Sequence, residues 1–386
     1  MDQLVITIES FAVLLLTPLG YWALPNRKLR TLYLCLVSLG LVAYWDKWSA
    51  LVVIVLTSFT YGMGYLIETR PNRKLYRTLG VTGLLLALVI FKYLGFLGNT
   101  VNSLLQLFGH YPHASFGAIV RPLGISYLVF KLMSYLIDLR KGFIDKGKFL
   151  DVLLYGSLFT IFVAGPIERF TTFKPQVESE AHGFKLEYLE AGFQRIVFGL
   201  FKKAVLADWI GYLIIPIWRS GDDVSLVMKT LGLFGFSFQL YLDFAGYSDI
   251  AIGASKLYGL TIMENFDWPF LQPNTGQFWR HWHISLSTWI RDYIFYPLGR
   301  MSTNRIWMLF IVPVVAMGLS GLWHEASWGF LLWGVWHGFG LSAYLFWNYN
   351  KKNYEWIVRV SQSKTFTALS ILAVYVYFTI GLLWFN

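Results

Sequence analysis

Four of the seven histidines crowd into the last third of a 386-residue chain, and each stands beside a tryptophan. His281 and His283 flank Trp282, His324 follows Trp323, and His337 follows Trp336. Imidazole titrates near neutral pH, so it is well suited to accept a proton from a hydroxyl about to act as a nucleophile. His324 is the foremost candidate. It sits in the run Gly318-Leu319-Ser320-Gly321-Leu322-Trp323-His324-Glu325 at the close of an apolar stretch, and an ionisable residue in such a place is a functional-site hypothesis by default. The competing reading is a neutral ring bonded to a backbone carbonyl. His110, His113 and His182 fall in polar stretches and read as solvent-exposed.

If Trp279 to Asp292 form one helix, successive residues turn by about 100°. His283, Ser287 and Arg291 then share one face, and His281, Ser285, Thr288 and Asp292 the other, so the two histidines cannot share one metal. A zinc site needs three or four ligands and a supporting shell. His281 or His283 with His324 and Glu325 could supply them, but the expectation is a site without metal. Tyr241, Asp243, Tyr247, Ser248 and Asp249 end another apolar run. They read as supports of a polar cavity, with Asp243 and Asp249 paired to Arg280 or Arg291 or bonded to hydroxyls.

The elements that must position these groups lie in a membrane. Hydrophobic types make up 56 % of the chain and charged types 14 %, against roughly 25 % charged in soluble domains. Apolar runs reach the roughly 20 residues that cross a hydrocarbon core as a helix. The expected fold is an all-α integral membrane protein, one domain over 1–386. About eleven spanning helices are expected near 4–24, 29–45, 48–67, 79–97, 117–138, 149–165, 199–218, 226–247, 306–323, 328–347 and 366–385. Residues 166–198 are amphipathic and read as interfacial helices. Residues 264–299, broken by Pro269, Pro273 and Pro297, read as a re-entrant or horizontal segment, because irregular backbone at membrane depth must be buried in protein or line a cavity. A net charge of +10 would suit nucleic acid, but the cations sit in short alternate loops: Arg27, Lys28 and Arg30; Arg70, Arg73, Lys74 and Arg77; Arg140, Lys141, Lys146 and Lys148. That is the positive-inside pattern, which excludes a nucleic-acid role and places these loops in the cytoplasm. The single cysteine, Cys35, rules out an internal disulfide and reads as an inert apolar residue. The acidic N-terminus lacks the basic region of a cleaved signal peptide.

Several stretches resemble the membrane-bound O-acyltransferase family. They are Phe278-Trp279-Arg280-His281-Trp282-His283-Ile284-Ser285-Leu286-Ser287-Thr288-Trp289-Ile290-Arg291-Asp292-Tyr293 followed by Pro297-Leu298-Gly299; Gly321-Leu322-Trp323-His324; and Trp333-Gly334-Val335-Trp336-His337-Gly338. Residues 124–139, 164–170 and 242–253 match in the same order. Within the family the bacterial polysaccharide branch fits: 283–299 is similar to alginate and peptidoglycan O-acetyltransferases, while GPIERF and NFDWPF are similar to teichoic-acid D-alanyl transfer proteins.

The resemblance implies transfer of an acyl group, acetyl or D-alanyl, from a cytoplasmic thioester through a tunnel to a hydroxyl toward the far side. The donor would be acetyl-CoA or an acyl carrier protein thioester, with no bound cofactor. His324 takes the family's essential position and His283 supports it. Trp279, Arg280, His281, Trp282, Ser287, Arg291, Asp292, Trp323, Glu325, His337, Tyr241 and Asp243 are expected along the substrate path. Glu325 departs from the glycine common in bacterial members, which bears on the acceptor. The resemblance also implies a bacterial cytoplasmic-membrane location, an extracytoplasmic partner with a serine-hydrolase-like (SGNH) fold, and a cytoplasmic carrier protein. A transporter or flippase of a lipid-linked sugar is the reading from another class.

Overall fold

The structure, a computed structural model, describes residues 8–109, 120–179, 183–220 and 223–385. His110, His113 and His182 lie outside the described residues. The described chain is helical, and its one β feature is an isolated antiparallel bridge between Phe266 and Trp282. In order the helices are α1 Ile8–Ala23, α2 Arg27–Trp45, α3 Lys47–Thr69, α4 Arg73–Leu88, α5 Leu94–Leu107, α6 Ile125–Lys141, α7 Phe149–Ser157, α8 Phe170–Glu178, α9 Leu186–Leu200, α10 Asp208–Arg219, α11 Leu226–Lys256, α12 Thr275–His281, α13 Ile284–Ile290, α14 Tyr296–Gly299, α15 Val312–His324, α16 Trp328–Asn350, α17 Glu355–Ser361 and α18 Lys364–Gly381. Local sequence starts several of them. The side chains of Asn26, Asp46, Asn274, Ser327 and Ser363 each accept a hydrogen bond from a first-turn amide, satisfying donors that a helix start leaves open.

Five helical stretches among the described residues are long and apolar enough to cross a bilayer: Arg27–Trp45, Lys47–Thr69, Arg73–Leu107, Trp307–His324 and Lys364–Trp384. Val13–Ala23 and Phe149–Ile161 are apolar but shorter. The protein is therefore a membrane protein, although several expected spans take a different form. Within the span expected at 117–138, the chain described from Val120 onward becomes helical at Ile125, after Pro122 and a left-handed Gly124. The one expected at 149–165 leaves the α-helix at Ser157 and ends in non-helical chain around Gly165-Pro166. The one expected at 226–247 continues to Lys256. Between α9 and α10 the chain makes a π-helical turn, Phe201–Ala207.

The described residues form two compact units. One comprises Met1–Val197 and Asp249–Met263, the other Phe198–Ser248 and Glu264–Asn386. The first contains α1 to α8, with a buried core of Leu34, Val53, Leu132, Leu136, Tyr155 and Phe173. The second contains α12 to α18 around a core of Phe278, Trp279, Trp282, Met317, Trp333 and Phe378. All four histidine–tryptophan pairs belong to the second unit.

Candidate active site

Helices α15 and α16 form an antiparallel pair that brings His324 against its aromatic surroundings. Glycines permit the contact. A Cβ on Gly321 would lie 2.0 Å from the Phe330 carbonyl oxygen, one on Gly334 2.2 Å from that of Met317, and one on Gly338 2.5 Å from the Val314 Cα. No side chain fits at such distances. Gly321 thus serves close approach, whereas a Cβ on Gly318 would make only ordinary contacts with Leu331 and Val335, and α15 runs unbroken to His324. The His324 ring centroid lies 5.1 Å from that of Trp323, 5.3 Å from Trp333 and 6.3 Å from Phe330. Glu325 follows in extended backbone and caps the helix through its amide.

His283 arrives from elsewhere in the chain. The expected helix over 279–292 does not form. Helix α12 ends at His281, Trp282 is extended, and His283 takes a left-handed backbone, φ 44° and ψ 54°, before α13 starts. Residues 265–267 cause the break by pairing with 281–284. The Asp267 amide donates to the His281 carbonyl at 3.0 Å, and the Ile284 amide to that of Asn265 at 2.9 Å. A left-handed non-glycine residue costs about 1–2 kcal/mol, and such conformations gather where function requires them. The consequence is placement. His283 is buried, its ring 4.7 Å from Phe244, 6.2 Å from Trp323 and 6.0 Å from His324. The two histidines share one aromatic enclosure.

Several polar atoms there have no hydrogen-bond partner among the described residues: both ring nitrogens of His283, the indole N–H groups of Trp279 and Trp333, and Nε2 of His337. These side chains are at least nine-tenths buried. His337 stacks edge-on with Trp279 at 5.1 Å and Trp333 at 4.8 Å. Buried polar groups in native proteins are almost always paired, so such a concentration points to groups kept for a ligand or a water.

Trp279, Arg280, Ser287 and Arg291 line a cavity of about 290 Å³ with Ser320 and Met317 of α15 and Tyr344 of α16. Ser320 sits one turn before His324 on α15, and neither His324 nor His283 is among the residues that line the cavity. Other expected site residues play different parts. His281 turns away, its Nδ1 2.8 Å from the Gln277 carbonyl and its Nε2 3.5 Å from the Asp267 carboxylate. Trp282 packs into the core between Phe266 and Phe378. Asp292 pairs with its neighbour Arg291 at 2.7 Å. Tyr241 packs on Phe266, Phe270 and Trp282.

The expected ion pairs are corrected. Asp243 binds Lys203 and Asp249 binds Arg195, neither of them Arg280 or Arg291. The π-helical turn places Lys203 against α11 where Gly246 leaves room: a Cβ there would meet the Gly199 carbonyl at 2.6 Å and the Lys203 amide at 2.9 Å. Asn265, Phe244, Ser320 and Tyr344 escaped the sequence reading. Asn265 stood in the quoted NFDWPF wording, but its role depends on a pairing across the chain that no local pattern announces.

A profile of the membrane-bound O-acyltransferase family matches residues 21–356. The chain is 34 % identical over 329 residues to a probable alginate O-acetylase (AlgI) of Azotobacter vinelandii, covering 84 % of this chain and 65 % of the relative. It is 29 % identical over 370 residues to a peptidoglycan O-acetyltransferase of Helicobacter pylori, covering 86 % and 68 %. A teichoic acid D-alanyltransferase of Streptococcus thermophilus is 33 % identical over 244 residues, 60 % of this chain and 58 % of the relative. The chain spans just under two thirds of the length of the Azotobacter alginate relative.

Proposed function

Because the chain belongs to the membrane-bound O-acyltransferase family, we propose that it transfers an acyl group from a cytoplasmic thioester to a hydroxyl on a cell-surface polysaccharide or a partner protein. The observation that carries this reading is the shared enclosure of His324 and His283, their rings 6.0 Å apart and surrounded by tryptophan. His324, as a neutral imidazole, takes the proton of the acceptor hydroxyl as its oxygen attacks the thioester carbonyl. The C–O bond forms, the C–S bond breaks with its electron pair going to sulfur, and the imidazolium returns the proton to yield a free thiol. The ring of His283 and the indole N–H of Trp333 are donors for the developing oxyanion, where preorganised groups act most strongly. Burial limits hydrolysis of the donor. Nothing in these steps calls for a metal or a bound cofactor.

Acetyl is the favoured group, since the acetyl-transferring relatives align over 84 % and 86 % of the chain. D-alanyl transfer is the second reading, supported by 33 % identity to a teichoic acid D-alanyltransferase. Purified protein supplied with acetyl-CoA, or with an acetyl- or D-alanyl-carrier protein, is expected to release thiol in the presence of acceptor. His324→Ala is expected to abolish that release while remaining folded; near-normal turnover would overturn the assignment, and absence of thiol with every donor would favour a flippase.

The cations of 68–77 and 139–148 support a cytoplasmic face for these stretches in a bacterial cell. An impermeant thiol reagent should therefore not label Asn72→Cys in intact cells lacking Cys35, and labelling would reverse the topology. With the stretch Gly299–Arg305, which carries Arg300 and Arg305, read as cytoplasmic by the same rule, the run ending at His324 rises toward the outer side. An extracytoplasmic partner with a serine-hydrolase-like fold, docking near Trp323 to Trp328, completes transfer to the polymer. Full modification of external polymer by this chain alone would rule the partner out.

A further inference from the structure

Helix α13 starts without a cap of its own. Its N-cap residue is His283, whose side chain makes no capping hydrogen bond. The missing acceptor comes from the fully buried Asn265. Its Oδ1 accepts from the Ser285 amide at 3.3 Å and from the Ser285 hydroxyl at 2.7 Å. Its Nδ2 donates to the Ser248 hydroxyl of α11 at 3.1 Å, and its carbonyl accepts from the Ile284 amide. One side chain therefore fastens both the start of α13 and the strap 265–267 to α11. His283 lies between those attachments in a backbone conformation that L-residues avoid. Phe244 of α11, one turn before Ser248, closes the same enclosure against the His283 ring.

We propose that Asn265 is a positioning residue: as a cap supplied from outside the helix, it holds His283 in its left-handed conformation so that the imidazole stands beside His324. The proposal rests on the functional reading above, but its geometric content can be tested without an acyl donor. Side chains of other types fail here for stated reasons. Alanine removes both the acceptor and the donor. Glutamine has the groups but is one methylene too long to reproduce these bonds from a fully buried position. Aspartate keeps the acceptor for both Ser285 donors, and the Ser248 hydroxyl can rotate to donate to it, so Asn265→Asp is the rescuing variant.

The experiment uses the full chain in nanodiscs, carrying Cys35→Ser, His283→Cys and His324→Cys, with mercuric ion as the cross-linking probe. Efficient cross-linking is expected. Asn265→Ala in that background, which loses all three side-chain hydrogen bonds, should lower its rate by at least about tenfold, the equilibrium value of a single buried one, and Asn265→Asp should restore it. Absence of cross-linking with Asn265 present, an unchanged rate in Asn265→Ala, or no rescue by Asn265→Asp overturns the proposal. If Asn265→Ala does not accumulate as folded protein, Ser285→Ala decides: it deletes one of the paired donors, should slow cross-linking severalfold, and an unchanged rate again overturns the assignment.

Turnover supplies the second arm, measured as thiol release with KM and kcat separated. In the native background Asn265→Ala should lower kcat and leave KM near its original value. Combined with His283→Ala it should add little further loss, because residues acting through one group are not additive. Multiplying losses would show that Asn265 acts elsewhere. Should His283→Ala itself leave turnover unchanged while cross-linking behaves as expected, the functional reading of His283 fails and the structural role of Asn265 stands.

Discussion

Two buried polar clusters, one in each compact unit, treat their polar atoms differently. In the first, Glu168 is buried between α7 and α8 and uses both carboxylate oxygens: one accepts from the Thr172 hydroxyl, the other from the Met263 amide at 2.9 Å. Lys131 donates to the Tyr155 carbonyl at 2.7 Å, and the Tyr155 hydroxyl donates to the Glu168 carbonyl at 2.8 Å. In the second, His283, Trp279, Trp333 and His337 bury polar atoms that find no partner among the described residues. A satisfied network stiffens a fold. An unsatisfied one weakens it and persists where something other than stability keeps it, as natural proteins break local rules at functional sites. The first unit also buries hydroxyls without a partner among the described residues, those of Thr57 and Thr60, but only in the second cluster are the unpaired atoms imidazole and indole nitrogens gathered in the enclosure that holds His283, which supports the chemistry proposed there.

The largest effects that could break this contrast come from the two histidines at its centre. Losing a general base costs about 10²–10⁴-fold in rate, which is expected for His324→Ala. His283→Ala should cost less, about 10²-fold, the scale of one lost oxyanion donor. Thiol release by each purified variant, normalised to monodisperse protein, checks the order. A His283→Ala variant slower than His324→Ala would exchange their roles.

Much of this second cluster was legible before any coordinates. Histidines next to tryptophans at the ends of apolar runs stand out because each is expensive in a membrane, and His324, His283 and His337 do lie in one aromatic enclosure. The irregular character of 264–299 was legible from Pro269, Pro273 and Pro297, and the segment is indeed a series of short helices. What escaped was non-local. Periodicity made 279–292 one helix because nothing in those fourteen residues announces their pairing with 265–267. The partners of Asp243 and Asp249 lie 40 and 54 residues upstream, and the π-helical turn that presents Lys203 has no hydropathy signature. The overlong spans at 117–138 and 149–165 are a different matter: Pro122, Gly124 and Gly165-Pro166 were punctuation in plain view, outweighed by length.

A smaller effect sharpens the boundary of the second cluster. His337 is buried against Trp279, Trp333 and Phe378, yet its ring is not in contact range of His283. If it acts through packing, a residue of similar volume should replace it. His337→Leu is expected to fold with a stability change of about 1.5 kcal/mol or less, as for volume-conserving core exchanges, and to keep most of its turnover. His337→Ala should instead lose thermal stability by leaving a cavity. Normal folding with turnover reduced as far as in His283→Ala would move His337 into the chemistry.

The smallest effect belongs to the satisfied cluster and is read in stability. Burial raises the Glu168 carboxyl above its ordinary value, while the bonds from Thr172 and Met263 pull the other way without cancelling the shift. The sign follows from which state holds the proton. At a pH between the ordinary glutamate value and the raised one, the folded chain keeps the proton and the unfolded chain has lost it. Folding therefore takes up a proton, and lowering the pH through this window stabilises the folded state. Glu168→Gln cannot titrate and lacks the term. Thermal midpoints of the two proteins in the same detergent, followed from about pH 7.5 down to about pH 5, just above the ordinary range of glutamate, should diverge in favour of the unaltered chain as acidity rises. Turnover should be equal in both at neutral pH. A midpoint difference that moves in favour of Glu168→Gln on acidification would mean that Glu168 is ionised and held by its bonds, and a loss of turnover without loss of stability would show that the first cluster, too, takes part in the reaction.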